Sequence, residues 1–365
     1  MNIDRITKTI ESFAPLDLQE AYDNAGLICG NSEWGCTGVL CSLDVTLDVV
    51  QEAVAKNCNL IVAHHPILFT GLKNLTGNNH VDQVIIAAIK ADIALYAAHT
   101  NLDNVLMGVN GKIAQKLNLE NTTILLPRSG VLRRLTTFAP IDKAELVRQA
   151  LFSAGAGHVG GYSECSFNSD GTGTFKAAPG AHPYVGEIGQ QHHEKETKIE
   201  IIFPAYLEQS IMKALLENHP YEEVAYDIIK MENKHYGIGS GVIGNLPKAL
   251  PEKDFLQLVK EVFKIQVIKH TALVNKPIQK VAVCGGAGSF LIPTAARRGA
   301  DIFITSDIKY HEFFGAEGKM VIADIGHYES EQYTVELLHD LLVEKFPTFA
   351  VLKTEHNTNP VQYFV

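Results

Sequence analysis

Two adjacent histidines directly after a short apolar run are the first residues of this sequence that could do chemistry. Residues 59–63 are mostly branched and apolar, which predicts a buried strand that ends before Pro66, because proline cannot donate to a sheet. His64 and His65 then lie at the carboxyl end of that strand, where open α/β sheets bind ligands. Because neighbouring side chains diverge, the pair is expected to serve two ions, or one ion and its surroundings.

Other predicted strands deliver polar groups to the same kind of edge. The apolar run 92–98 is followed closely by Asp103, and the run 319–323 is followed by His327 and Glu331. The last two residues are four apart where a helix begins, so their side chains share one face of that helix. The sequence therefore predicts a cluster of imidazoles and carboxylates built from separate strand ends.

Three imidazoles and two carboxylates suit zinc, iron or manganese better than calcium or magnesium. Five ligands exceed one tetrahedral site with an open position, whereas two ions that share a bridging carboxylate fit them. Two such ions, about 3.5–4 Å apart, activate a water between them, so we expect hydrolysis by a metal-bound hydroxide. The favoured ligands are His64, His65, Asp103, His327 and Glu331, with Glu331 as the bridge.

Several other polar residues also follow predicted strands, so spacing alone leaves the exact five ligands open. His99, Asp307, His311 and Asp324 could be ligands, supporting groups or helix caps. Because a ligating histidine usually donates its second ring N–H, Asp307, His99 and Asn101 are candidates to accept that hydrogen bond. Asp307, His311 and His99 are the predicted acid–base groups.

The elements that must position these residues alternate between strands and helices. This alternation covers residues 1–127 and returns at 276–365, which predicts a mostly parallel sheet covered by helices on both faces. Residues 128–275 are richer in glycine and in alternating strand-like runs, which indicates an inserted α+β domain. The predicted fold class is therefore α/β, with two α/β halves flanking an insert.

Two further motifs have less specific interpretations. Residues 285–288 are a glycine-rich turn that could hold a phosphate on backbone N–H groups, but a plain tight turn is favoured because no Walker lysine is present. The stretch 219–223 is interpreted as a helix end and turn. His182, His192 and His193 lie among polar residues and are expected to be solvated.

Composition limits the function classes. The chain has 365 residues, 46% of them hydrophobic, and a formal net charge of −10, which argues against a nucleic-acid groove because such grooves are basic. Its six cysteines form no CxxC pair, so we expect reduced thiols in a cytoplasmic protein. We expect neither a signal peptide nor a membrane span, since no apolar run approaches about 18 residues.

Taken together, the motifs resemble those of a known family. In chain order they are Tyr22-Asp23-Asn24-Ala25-Gly26-Leu27, Ala63-His64-His65-Pro66, His99-Thr100-Asn101-Leu102-Asp103, Thr305-Ser306-Asp307 with His311, and Asp324-Ile325-Gly326-His327 followed by Glu331. This set resembles the GTP cyclohydrolase I type 2 homologues, also called Nif-three-like dinuclear metal proteins. The resemblance covers the whole chain.

The resemblance implies a structure as well as a site. Matching motifs imply two divalent metal ions per subunit, zinc first with iron or manganese as alternatives, held by the five ligands named above with Glu331 bridging. It further implies two similar α/β halves around that dinuclear site and an insert like the ferredoxin-like PII or copper-tolerance fold. The resemblance also implies a toroidal homohexamer whose metal sites face an inner cavity.

The family name implies a reaction, the hydrolysis of GTP to 7,8-dihydroneopterin triphosphate and formate through attack at C8 of the guanine. Two alternatives stay open at this point. The chain could be a two-metal hydrolase of a different phosphorylated or cyclic amidine substrate. It could instead be a metal-binding regulatory or scaffold hexamer whose insert senses ligands or docks partners.

Overall fold

The computed structural model describes residues 1–364, and its secondary structure alternates as the sequence predicts. The strands are β1 (Gly26–Cys29), β2 (Val39–Ser42), β3 (Leu60–Ala63), β4 (Ala94–Ala97), β5 (Glu120–Ser129), β6 (Leu132–Pro140), β7 (Ser166–Lys176), β8 (Gln191–Pro204), β9 (Tyr226–Lys230), β10 (Lys234–Leu250), β11 (Lys269–His270), β12 (Ile278–Ala287), β13 (Ile302–Ser306), β14 (Val321–Asp324) and β15 (Val351–Lys353).

The α-helices connect these strands. They are α1 (Ile3–Phe13), α2 (Leu47–Ala55), α3 (His80–Lys90), α4 (Thr100–Asp103), α5 (Val109–Lys116), α6 (Ala144–Ser153), α7 (Glu208–Asn218), α8 (Glu252–Phe263), α9 (Ile292–Arg297), α10 (His327–Glu331) and α11 (Thr334–Lys345). Short 3-10 turns lie at Leu16–Leu18, Ala205–Leu207, Ser289–Leu291 and Tyr310–Ala316.

Contacts divide the chain into two units, and the smaller one is shorter than the predicted insert. The larger unit contains Met1–Pro127 and the chain from Gly237 onward, and the smaller unit is Arg128–Tyr236. The prediction that the insert extends to residue 275 is therefore wrong. Residues 237–275 belong to the larger unit because β10 pairs with β12 and because α8 buries Phe255 in the main core.

The first sheet of the larger unit has the order β1-β4-β3-β2-β15. Adjacent strands of this sheet run parallel, except that β1 pairs antiparallel with β4. Every residue of β2, β3 and β4 is buried, which is expected of parallel strands covered on both faces. Burial on both faces explains why the sequences of these strands are almost continuously apolar.

The second sheet has the order β11-β14-β13-β12-β10-β5. The strands β12, β13 and β14 are parallel, whereas β10 and β11 pair antiparallel at either side of them. Each sheet of the larger unit thus has an antiparallel strand at one edge, β1 in the first sheet and β11 in the second.

Apolar side chains of both sheets meet in one core. Leu60 of the first sheet and Ile302 of the second lie in the same cluster, together with residues of α1, α5, α8 and α11. Their neighbours Ile61 and Phe303 point the other way, because successive strand residues alternate between faces. Ile61 packs under α2 and α3, and Phe303 packs under α9.

Two helix starts lie next to residues of the predicted site. The segment after β14 forms two helices, α10 and α11, and α10 begins after Gly326, whose φ of 93° favours glycine. Helix α2 begins at Leu47, where the Thr46 side chain accepts a hydrogen bond from the Val49 N–H. Thr46, rather than Asp44, therefore caps this helix.

The smaller unit is an α+β module. Its four strands pair antiparallel in the order β7-β8-β6-β9. Helices α6 and α7 supply Val147 and Ile211 to a core that also contains Leu135 and Ile199 of the sheet.

Two expectations from composition can be compared with the described residues. Within residues 1–364 the cysteines are free thiols. No helix in that range combines the length and apolar character needed to cross a membrane.

Ion pairs between α5 and α11 make the free energy of unfolding depend on pH. Glu336 lies 2.8 Å from both Lys112 and Lys116. Burial opposes its ionisation, but these two ammonium groups outweigh burial and lower the pKa of Glu336 from 4.5 to about 2. Because the folded-state pKa is the lower one, the stabilisation is present above about pH 4.5 and is lost as pH falls towards 2.

We expect Glu336→Gln to lower the free energy of unfolding by about 0.5–1 kcal/mol at pH 7, since the partly exposed pair is screened by solvent. Urea denaturation should show a smaller difference from wild type near pH 3, because more than about half of the stabilisation by ionised Glu336 is already lost at that pH. Glu344→Gln, at an exposed glutamate of α11, is the control. An equal loss of stability at both pH values would contradict this assignment.

Candidate metal centre

The parallel strands of both sheets end at one cavity of about 1210 Å³ within the larger unit. From the first sheet, Asp44, His65, His99 and Asp103 line it, and from the second sheet Gly286, Asp307, Asp324, His327 and Glu331. The chain thus brings residues more than 200 positions apart to a common edge, as expected where ligands bind in open α/β sheets.

Glu331 is the buried centre of this cluster, with 3% of its surface exposed. Its Oε2 lies 2.9 Å from Nε2 of His65 and 3.1 Å from Nε2 of His327. Its other oxygen, Oε1, lies 3.7 Å from Nε2 of His64. The two oxygens of one carboxylate therefore face different imidazoles.

His64 presents a lone pair into the cluster. Its Nδ1 lies 2.8 Å from the Ala98 carbonyl oxygen, which can only accept, so Nδ1 carries the ring proton and Nε2 does not. Nε2 of His64 and Oδ1 of Asp103 are both buried, 3.8 Å apart, and without a hydrogen-bond partner among the described residues. Buried acceptors are rarely left unpaired, and a cation between them would satisfy both.

His65 and His327 are each oriented by an aspartate. Nδ1 of His65 donates to Asp44 Oδ1 over 2.7 Å, and Nδ1 of His327 donates to Asp307 Oδ2 over 2.5 Å. Their Nε2 atoms then lie 3.3 Å apart and both face Glu331. This carboxylate–histidine arrangement is typical of imidazoles that bind metals.

The charges of the cluster depend strongly on one another. Burial disfavours protonated His65 and His327, but hydrogen bonds to carboxylates outweigh it and raise their pKa values to about 10 and about 9. Burial and the Glu331 charge raise the pKa of Asp103 well above its usual range. Burial lowers the pKa of His64, whereas the imidazoles overcome burial and hold the pKa of Glu331 well below its usual range.

The arrangement contains three groups of side chains that could hold a metal ion. In each group the candidate ligand atoms lie within 4.8 Å of one another. The groups are His65 with His327 and Glu331, His64 with Asp103 and Glu331, and His64 with His65 and His99. Glu331 belongs to two of these groups, and every ligand predicted from the sequence belongs to at least one.

The glycine-rich turn at 285–288 makes room for Glu331. Gly286 has a φ of +60°, and a Cβ there would lie 2.4 Å from Oε1 of Glu331. Its N–H donates to Ser330 Oγ, and the N–H of Gly285 donates to Asn110 Oδ1. Because both N–H groups have partners within the protein, the turn favours close packing against Glu331 over phosphate binding.

His99 lies beside the cluster and is held by a carboxylate of its own. Its ring centroid is 5.3 Å from that of His64 and 5.6 Å from that of His65. Nδ1 of His99 donates to Asp23 Oδ1 over 2.7 Å. Burial opposes ionisation of Asp23, but hydrogen bonds from His99 and Thr100 outweigh it and lower its pKa to about 2. His99 is thus oriented to exchange a proton through its other nitrogen.

Some predicted site residues have other positions or partners. His311 is exposed and packs against the rings of Tyr310 and Phe314, and it is not among the described residues that line the cavity. Asn101 supports none of the imidazole rings among the described contacts, because its amide donates to the Ala14 carbonyl and accepts from a backbone N–H. Asp324 pairs with Lys269 over 2.6 Å.

Asp44 and Asp23 hold imidazole rings of the site although neither was a predicted site residue. Asp44 follows β2, the parallel neighbour of β3, so its strand-end position was a signal for the orientation of His65. Asp23 is 76 residues from His99 in a turn before β1, and its place in the site depends on a tertiary contact.

Solved structures share this fold. A Bacillus cereus protein related to NIF3 is 36% identical, with a TM-score of 0.87 over 100% of this chain and 99% of that chain. A Staphylococcus aureus protein is 29% identical, with a TM-score of 0.77 over 100% and 99% of the two chains. Both likenesses cover the two units described above.

Relatives identified by sequence also match this chain over its whole length. A Bacillus subtilis protein named GTP cyclohydrolase 1 type 2 homolog is 35% identical over 368 residues, which cover 100% of this chain and 99% of that protein. The model of the family Duf34/NIF3 (NGG1p interacting factor 3) matches residues 1–360. The chain therefore belongs to the Duf34/NIF3 family.

Proposed function

We propose that this protein is a metal-dependent hydrolase with two divalent ions that share Glu331. The observation that carries the proposal is the division of its carboxylate, with Oε2 beside His65 and His327 and Oε1 towards His64. In this proposal His65 and His327 would hold one ion, His64 and Asp103 would hold the other, and Glu331 would be a ligand to both.

The donor set indicates the class of metal. Three imidazole nitrogens with two carboxylates favour zinc, iron or manganese over calcium and magnesium. Zinc is our first candidate, and iron and manganese are the alternatives. The unpaired Nε2 of His64 and Oδ1 of Asp103 fit a cation, because each is a buried acceptor.

When bound, a pair of divalent ions lowers the pKa of a shared water and polarises the substrate. The protein's own side chains supply orientation and proton transfer. Asp44 and Asp307 fix the rings of His65 and His327. Asp23 fixes His99, and the ring of Phe69, 5.7 Å away and edge-on, covers part of it. His99 is therefore our candidate for the group that protonates the leaving nitrogen.

The first reaction to consider is the one in the relatives' name, hydrolysis of GTP to 7,8-dihydroneopterin triphosphate and formate. Water adds to C8 of the guanine, the C8–N9 bond breaks, and N9 takes a proton. A second water breaks the C8–N7 bond and releases C8 as formate. Closure of the pterin ring returns one water, so one water is consumed overall.

Three expectations from the sequence and its family resemblance belong to this proposal. They are the homohexamer, the PII-like character of the smaller unit, and the cytoplasmic location. The competing function is a regulatory or scaffold role for a metal-binding hexamer. Such a role would not require the oriented His99–Asp23 pair beside the metal ligands.

Replacement of the proposed bridge should remove the metal. We expect Glu331→Ala to lose most of both ions, because each ion loses a ligand and the site loses a negative charge that offsets the two cations. Elemental analysis after dialysis, with circular dichroism to verify folding, measures this. Glu329→Gln, two residues earlier on α10, should keep both ions, and retention of both ions in Glu331→Ala would disprove the bridge.

Loss of an orienting aspartate should weaken binding without abolishing it. We expect Asp44→Ala to lower metal affinity about 10–100-fold, since His65 loses the partner that fixes its tautomer and ring. Competition with a chromophoric chelator gives the affinity, and Asp48→Ala, at an exposed aspartate of α2, is the control. Equal affinities for wild type and Asp44→Ala would show that Asp44 does not support a ligand.

Separate variants distinguish proton transfer from metal binding. We expect His99→Gln to lower formate release from GTP by about 10²–10⁴-fold with its metal content unchanged, and Glu331→Gln to be inactive. His311→Gln should retain wild-type activity, because His311 is not among the described residues that line the cavity. Full activity in His99→Gln would show that His99 does not transfer the proton. Activity of the metal-free protein would show that the reaction does not need the metal ions.

A further inference from the structure

The cavity around the proposed metal centre is strongly acidic. Besides the proposed ligands Asp103 and Glu331, five carboxylates contribute to its lining, and they are Glu20, Asp44, Asp307, Asp324 and Glu329. Among the described lining residues Lys269 is the only lysine or arginine, and it lies 2.6 Å from Asp324. Even with two divalent ions bound, carboxylates outnumber the positive charges of the ions and Lys269.

A polyphosphate finds little to bind in such a cavity. Phosphates are usually held by arginine, lysine or free backbone N–H groups. The N–H groups of Gly285 and Gly286 already donate to Asn110 and Ser330. If the phosphates bound the ions themselves, they would occupy the place where the reacting ring must lie.

The same cavity offers flat apolar surfaces. Tyr22, Phe69, Phe290 and Tyr363 all line it, and each is between 49% and 70% exposed. Exposed rings beside a polar site are suited to stack on the face of a planar heterocycle, and such stacking requires no charge on the ligand. The lining therefore fits the base of a nucleotide and opposes its phosphates.

We infer that the substrate is a planar nitrogen heterocycle of the nucleoside class that carries no polyphosphate. This inference rests on the proposed hydrolase function and narrows its substrate. For the guanine ring, guanosine and water would give 7,8-dihydroneopterin and formate by the same bond changes at C8. The triphosphate of GTP only adds repulsion from the acidic lining.

The test compares guanosine with GTP on the metal-loaded protein. Equilibrium dialysis should give a dissociation constant about tenfold or more lower for guanosine, because like charges oppose GTP. Added salt should strengthen GTP binding by screening that repulsion and leave guanosine binding nearly unchanged. Formate release should show the same preference in kcat/KM.

A new cation in the lining provides a matched pair of variants. Ala287 lines the cavity and is exposed, so Ala287→Lys should raise GTP binding towards that of guanosine, whereas Ala287→Gln should not. Tighter binding of GTP than of guanosine, or binding of neither compound, would overturn the inference. Tight guanosine binding without formate release would support the binding preference and contradict the hydrolase instead.

Discussion

The burial of one carboxylate among three imidazoles constrains both sheets of the larger unit. Glu331 is almost inaccessible to water, and a buried charge is costly unless it is paired. His64, His65 and His327 supply that pairing from two different sheets. The position of Glu331 therefore requires that the carboxyl ends of β3 and β14 face the same cavity.

The surrounding elements meet this requirement in a consistent way. The two sheets share one apolar core, so their strand ends are held in place by packing rather than by loops. Gly286 leaves the space that the carboxylate fills, and Asp44 and Asp307 fix the imidazole rings. Local sequence choices and global topology thus agree at the site, as expected of a site built on rigid elements.

Much of the site could be predicted because strand ends are visible in sequence. The apolar run before His64 and His65 and the four-residue spacing of His327 and Glu331 are local patterns, and the structure brings these residues together. His311 shares the strand-end pattern, but it lies in the 3-10 turn after β13 and is not among the described residues that line the cavity. The hydrophobic periodicity of the sequence does not show which strand-end residues line the cavity.

Other features required tertiary information. The insert ends at residue 236 rather than 275 because β10 pairs with β12, a contact between distant segments. The pairing of His99 with Asp23 is equally remote in sequence. The acidic lining and its exposed rings come from both sheets and the C-terminal segment, so composition alone does not reveal them.

Anomalous diffraction from crystals of the zinc-loaded protein would show whether Glu331 is shared between two ions. We expect two anomalous peaks per chain, one at each oxygen of Glu331, with His65 and His327 at one peak and His64 and Asp103 at the other. A single peak, or two peaks that do not contact Glu331, would rule out a shared carboxylate.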